Sequence, residues 1–505
     1  MPHSPPPPLA PPRSTPAREA ALATLAGRRW DLLVVGGGAS GAAVARDAAL
    51  RGLAVALVER HDLAFGTSGR SSRLIHGGLR YLALGDLALV REGLVERGRL
   101  LATAPELVRP VRFLYPVYAG DPDPLWRLGL GLHLYDWLAA GHSLGRHRRL
   151  SAAEAAALAP GLRRGGLRGA ALYQDAACHD ARLVVALARS AAAAGAAVVT
   201  RCSATAPPRR RGAMREIELE VEDTIGGRRF DVRARAAVLC CGPWRELLDA
   251  TPVRLRATRG SHLAFPRRRL PLPCHVALRS PDDGRLAFAM PAGEHTVVGT
   301  TEQDDATPPA AVRATPDDVA YLLRVVRHAF PEAELGAADV TGVFAGLRPL
   351  VARRSRDGRI HPSAVSRKHV VARAAPGTWV LAGGKLTSHR RMAEDCVDAV
   401  LREIGPRLER APGPCVTDWL PLPAPDADDD WALALDDLLL RRREPGLLDL
   451  PACLAAAPRA AALLGKRLGW NADEERTQLA EFVTLVQAEF AAAGLPRPDP
   501  SLRSG

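Results

Sequence analysis

At 505 residues the chain is longer than one hydrophobic core usually serves, so two or three domains are expected, and 47% hydrophobic with 24% charged residues excludes a disordered or fibrous protein. Of its 68 basic residues only Lys368, Lys385 and Lys466 are lysine, an imbalance that, beside long Ala and Pro runs, reads as coding bias. The net charge of +13 still favours phosphorylated substrates or an anionic membrane surface, whereas nucleic acid is not expected, because no long basic face interleaved with aromatics occurs.

The first eighteen residues, MPHSPPPPLAPPRSTPAR, lack the apolar core of a secretory signal and read as a disordered Pro-rich tail, residues 1–18. From Asp31 the chain runs DLLVVGGGASGAAVARDAALRGLAVALVERHD: an apolar strand, a glycine cluster, an Ala-rich helix, a glycine stop and a second strand. This is one βαβ unit. Gly36, Gly38 and Gly41 form G-x-G-x-x-G, in which the first glycine permits the tight turn, the second lets the backbone approach a pyrophosphate and the third lets helix and strand pack closely. The helix N-terminus then turns its N–H groups and partial positive charge toward the phosphates. Glu59, ending the second strand, can accept hydrogen bonds from both ribose hydroxyls.

Further on, AAVLCCGPW (236–244) gives a buried strand that ends at Gly242, a close-approach turn. WVLAGGKLTSHRR (379–391) repeats the order strand, double glycine (Gly383, Gly384), helix. Two such turns in one chain suit a long cofactor, and FAD fits better than NAD. The eight cysteines show neither a CxxC pair nor Cys/His metal spacing, so they read as reduced core thiols of a cytoplasmic protein with no metal. No run of about eighteen uncharged apolar residues occurs, so no membrane-spanning helix is predicted.

The run GTSGRSSRLIHGGLRYL (66–82) resembles the signature of the FAD-dependent, quinone-linked glycerol-3-phosphate dehydrogenases. CGPW (241–244), RGSH (259–262), VVGTTE (297–302), GLRPL (346–350) and GGKLTSHR (383–390) follow in that family's order, and the likeness covers about residues 30–490. The departures are Cys240-Cys241 where Ala-Thr is common, Glu302 where Asp is commoner, and the Pro-rich tail. The resemblance implies an α/β fold. A discontinuous Rossmann-like FAD domain would comprise 19–110, 165–257 and 349–408, a mixed-sheet substrate cap 111–164 and 258–348, and a C-terminal helical domain 409–505.

It also implies oxidation of glycerol 3-phosphate to dihydroxyacetone phosphate by hydride transfer to FAD. Arg80, Arg348 and Lys385 would clamp the substrate phosphate, with Tyr81 and Thr301 donating hydroxyl hydrogen bonds. His76 and His262 compete as the base that takes the hydroxyl proton. Ser71, Ser72 and Thr387 would lie beside the flavin. Lys385 has support from composition, because a chain with three lysines places one directly after Gly383-Gly384, either on the substrate phosphate or near the flavin's N1 edge. Electrons would pass to a membrane quinone, with the protein lying on the cytoplasmic membrane through the apolar, Arg-flanked segments 126–150 and 435–448; the alternative is that both segments are cap and helical-domain core, with electrons going to a soluble acceptor. A homodimer is left open. The rival readings are an FAD-dependent amine or 2-hydroxy-acid oxidase using oxygen, a non-catalytic FAD-binding protein, and an NAD-dependent dehydrogenase.

Overall fold

A computed structural model of the chain describes residues 14–82, 85–139, 141–211, 216–249, 251–352, 365–366, 368–423 and 430–498. The expected tail therefore lies mostly outside the described residues. Its last residues fold instead: Thr15 caps a helix, Pro16–Gly27, by accepting the Arg18 N–H at 3.2 Å, and Arg18 pairs with buried Asp223 at 2.8 Å.

The G-x-G-x-x-G unit starts the first sheet. Strand Arg29–Val35 pairs in parallel with Val55–Val58 on one side and Arg229–Leu239 on the other. Ala197–Val199 and Thr378–Gly383 extend it in parallel, and His369–Ala375 adds an antiparallel edge. The strand is apolar on both faces because both are covered. Leu32 and Val34 enter a core built with helices Ala39–Leu50, Asp180–Ala193 and His389–Ile404, while Leu33 and Val35 enter one completed by Pro16–Gly27.

The second sheet, of eleven strands among the described residues, is mostly antiparallel. Its middle runs Gly342–Ala352, Leu255–Pro266, His295–Gly299, Leu286–Ala292, His275–Arg279, Val108–Tyr118, Leu167–Cys178. Strand Leu167–Cys178, expected in the dinucleotide-binding part, pairs along its length with Val108–Tyr118 and so belongs to this sheet. Helices Leu450–Leu468 and Ala472–Ala492 share one continuous core with it.

The two segments expected at a membrane part company. Segment 435–448 is core: Leu435, Leu438, Leu439, Leu440, Leu447 and Leu448 are all buried, and Arg441 and Arg442 pair with buried Asp62. In segment 126–150, helix Leu125–Leu138 buries Leu132, Tyr135 and Leu138 but leaves Trp126, Leu130 and Trp137 63%, 64% and 71% exposed. At 100° per residue these three share one stripe. Among the described residues no helix is long and apolar enough to cross a membrane.

Candidate functional site

Residues of both sheets line one cavity of about 1820 Å³. On the dinucleotide side, Gly36 has φ +111°, and a Cβ there would lie 2.5 Å from the Cys240 carbonyl oxygen. A Cβ on Gly41 would lie 1.8 Å from the Gly36 oxygen, so turn and helix touch backbone to backbone. Helix Ala39–Leu50 starts at Gly38 with no side-chain cap, which leaves its N-terminal dipole facing the cavity. Ser68 accepts the Ala39 N–H at 3.0 Å.

The Glu59 carboxylate is fixed by the Gly37 N–H at 2.6 Å and the His61 N–H at 2.7 Å. Burial pushes its pKa up, against the pull of those two N–H groups. Gly242 lines the cavity in a left-handed conformation. Gly383 and Gly384 have φ +74° and +80°, and a Cβ on Gly384 would meet Met392 Sδ at 2.4 Å. Both glycine turns thus bring bare backbone to one space.

The opposite wall is built on the LIHGGLRY run. The His76 N–H donates to Thr387 Oγ1 at 3.0 Å and the Thr387 hydroxyl returns a bond to the His76 carbonyl at 3.3 Å, tying this turn to the second glycine turn. Gly77 cannot carry a side chain, because a Cβ would lie 2.6 Å from both Leu94 Cδ2 and the Tyr135 hydroxyl. Gly78 is left-handed and lies against the Tyr81 ring. Lys385 Nζ sits 4.0 Å from the centroid of that ring, a cation–π contact at the cavity wall. The Arg80 side chain lies outside the described residues.

Arg348 reaches across from strand Gly342–Ala352, donating to Thr300 Oγ1 at 2.8 Å and to the Thr301 carbonyl at 3.2 Å. Thr301 Oγ1 accepts the Ser261 N–H at 3.0 Å. His262 lies in the same wall, with Nε2 2.8 Å from Ser72 Oγ and its ring stacked on Phe344. Burial, then the charges of Arg348 and Arg73, lowers its pKa to about 3, so the imidazole is neutral at neutral pH. Ser71 is turned to buried Asp180, which accepts its N–H at 3.0 Å and its hydroxyl at 2.7 Å. Glu302 also lines the cavity, and its carbonyl accepts from Arg285 at 2.9 Å. The structure thus gathers His76, Tyr81, His262, Thr301, Arg348 and Lys385 on one cavity with Gly36, Gly38, Glu59, Ser71, Ser72, Gly242, Gly383, Gly384 and Thr387, while Gly41 supports the turn from behind.

Three contributors were not foreseen from the sequence. Trp244 places its ring against Gly66, where a Cβ would be 2.6 Å away. Asp180 holds Ser71, and a network of Tyr135, Asp175 and Arg97 holds Gly77. An acid inside the apolar strand LYQDAAC was the available signal, since a buried carboxylate requires partners.

Compared with known proteins, residues 31–394 match the family described as FAD dependent oxidoreductase. The chain is 40% identical over 403 residues to glycerol-3-phosphate dehydrogenase 2 of Mycobacterium tuberculosis, covering 77% of this chain but 66% of that protein. It therefore spans just under two thirds of the length of that relative. With the glycerol-3-phosphate dehydrogenase of Pseudomonas aeruginosa it shares 39% over 405 residues, 78% of this chain and 75% of the other. Its fold matches the glycerol-3-phosphate dehydrogenase from Bacillus halodurans complexed with FAD at a TM-score of 0.74 and 22% identity, over 97% of this chain and 99% of that one.

The residues present fit FAD. Two cradles that a Cβ would fill, a helix N-terminus on the cavity wall and a half-buried carboxylate after the second strand are what a long dinucleotide requires. Gly36, Gly38 and Glu59 would hold its nucleotide half, and Gly383, Gly384 and Thr387 would flank the ring.

Proposed function

Because the chain belongs to the FAD-dependent oxidoreductases and, within them, to the FAD-dependent glycerol-3-phosphate dehydrogenase family, we propose that it oxidises sn-glycerol 3-phosphate to dihydroxyacetone phosphate and delivers the electrons to a membrane quinone. The carrying observation is the pair of cations, Lys385 and Arg348, on a cavity that also holds His76, His262 and two glycine cradles. FAD bound there supplies the acceptor for the C2 hydride of the substrate.

The chain's own residues do the rest. Arg348 presents a planar fork held by Thr300 and Thr301, and Lys385 a compact ammonium held on Tyr81, so a phosphate dianion meets two oriented cations. His76, half-buried on the cavity wall with its backbone clamped by Thr387, is the base that takes the C2 hydroxyl proton. His262 is held neutral and bonded to Ser72, which suits it to hydrogen-bond the substrate oxygen rather than to carry the proton. Tyr81 and Thr301 complete the wall as substrate contacts, with Ser71 and Ser72 at its flavin side.

The membrane part of the proposal is supported by the stripe Trp126, Leu130 and Trp137. The same helix contributes Arg127, Leu130 and His133 to the cavity lining, and the arginines at 146, 148 and 149 follow it. A lipid surface that took up the stripe would lie beside the cavity mouth, where a hydrophobic quinone arrives.

The test is the absorption spectrum of the FAD-loaded protein before and after anaerobic addition of glycerol 3-phosphate. Bleaching of the flavin band by glycerol 3-phosphate and not by glycerol is the expected outcome. A band that survives saturating substrate defeats the proposal.

A further inference from the structure

Gly77 lies between His76 and Gly78, which line the cavity, and its N–H enters a buried polar cluster, one member of which, Asp175, also lines that cavity. It donates to the Tyr135 hydroxyl at 3.0 Å and, less directly, to Asp175 Oδ1 at 3.3 Å. The Tyr135 hydroxyl donates to the Asp175 carboxylate, 2.9 Å from Oδ2. Arg97 Nη1 closes the cluster on Asp175 Oδ1 at 2.7 Å, while Arg97 Nη2 donates to the His142 carbonyl at 3.1 Å. All three side chains are buried.

The chain of donors has one direction, from the Gly77 N–H to the phenol oxygen and from the phenol O–H to the carboxylate, and Arg97 neutralises the charge at its end. Bonds of this kind strengthen one another in a low-dielectric interior. The three residues come from different elements: Tyr135 from helix Leu125–Leu138, Asp175 from strand Leu167–Cys178 and Arg97 from helix Leu87–Thr103. Nothing in local sequence makes them meet. Leu94 from the third element closes the space beside Gly77, and a Cβ at Gly93 would lie 3.0 Å from the Gly77 Cα. The turn is thus located by an assembled pedestal, and Thr387 fixes only its other side, at His76.

We infer that Tyr135, seated on Asp175 and Arg97, is a positioning residue that sets the His76–Gly77–Gly78 turn against the substrate. The inference rests on the substrate reading above. It predicts that the phenol oxygen, distant from the reacting atoms in the bonding sequence, governs how well the site takes glycerol 3-phosphate without holding the cofactor.

Tyr135→Phe removes that oxygen and keeps the ring, leaving Gly77 with the 3.3 Å contact alone. In the FAD-loaded protein we expect FAD content and the unfolding temperature to stay near wild type, and photochemical reduction of the flavin to be as complete. The glycerol 3-phosphate concentration that half-bleaches the flavin is expected to rise about tenfold, the equivalent of ~1.4 kcal/mol. A wild-type half-bleaching concentration overturns the inference, and so does a variant that fails by losing FAD. Should wild type itself resist bleaching by glycerol 3-phosphate while photoreduction proceeds, the substrate reading is what has failed. Hydrogen exchange across residues 74–82 of the two proteins then decides the positioning role: faster exchange in Tyr135→Phe supports it, and equal protection overturns it.

Discussion

Segments 126–150 and 435–448 both set leucines beside arginines, and the fold treats them oppositely. In the second, the arginines find buried carboxylates. Arg442 grips Asp62 with two nitrogens at 2.6 and 2.8 Å, and Arg441 reaches Asp62 at 2.6 Å and Asp436 at 2.7 Å, so the leucines between them close a core. In the first, the helix has one inward face, and the stripe Trp126, Leu130 and Trp137 meets nothing among the described residues that buries it. Leucines beside arginines do not reveal where a segment lies. The partners of the arginines do.

The comparison breaks hardest at the buried end. Arg442→Ala leaves buried Asp62 with Arg441 as its remaining guanidinium partner, and breaking a buried ion pair by removing one partner costs about 3–5 kcal/mol. A large drop in the urea midpoint of unfolding is expected. A change below about 1 kcal/mol would mean that this segment is no more embedded than the exposed one.

The exposed end is tested by replacing Trp126, Leu130 and Trp137 together with serine. Since each is more than 60% exposed, the unfolding midpoint should hardly move. Co-sedimentation with anionic vesicles should fall at least about a hundredfold, because each large apolar side chain taken up by lipid contributes about 1.5–3 kcal/mol. Unaltered sedimentation would detach the stripe from any membrane role.

Between these extremes stands Lys385, a half-buried cation that rests on an aromatic ring at the cavity. Lys385→Arg keeps the charge and spreads it over a larger, planar group. Flavin reduction by glycerol 3-phosphate is expected to slow about 10²-fold with FAD retained, as for a binding group misplaced by about 1 Å. Turnover equal to wild type would show that any cation serves.

What could be read from the sequence follows the same division. Gly36, Gly41, Gly383 and Gly384 were legible because the missing side chain is written in the residue itself, even where, as at Gly36, the backbone it lets in belongs to a distant strand. Glu59 was legible from its place after the second strand. The pedestal under Gly77 was not, since Arg97, Tyr135 and Asp175 are 78 and 40 residues apart along the chain for the two bonds that join them. The sequence could not decide between membrane contact and core for 435–448 for a related reason. Asp436 and Asp437 just ahead of LLLRRR hinted at internal pairing, but Asp62, the decisive partner, is 380 residues from Arg442. The strand at 167–178 crossed an expected boundary because alternation in sequence marks a strand without saying which sheet receives it.

The smallest expected effect concerns a group that the fold keeps from being charged at all. Among the described residues no carboxylate bonds to His262. Ser72, Phe344 and the cations Arg348 and Arg73 act on it, and its pKa falls to about 3 from an ordinary 6.5. Between those two values the unfolded chain binds a proton there and the folded chain does not, so the stability this site contributes is complete above pH 6.5 and is lost as pH falls toward 3. The slope for one such histidine is about 1.4 kcal/mol per pH unit. Other buried groups titrate in the same window, His275 and His389 among them, both lowered to about 4, so the whole-protein curve does not isolate it. The difference between wild type and His262→Gln does. Unfolding free energies of the two, measured by urea titration at steps from pH 6.5 to 4.5, should converge as the pH drops, by about 1.4 kcal/mol for each unit. Parallel curves would mean that His262 is protonated in the folded protein as readily as in the unfolded chain, and its assignment as the neutral hydrogen-bonding partner of the substrate oxygen would go with them.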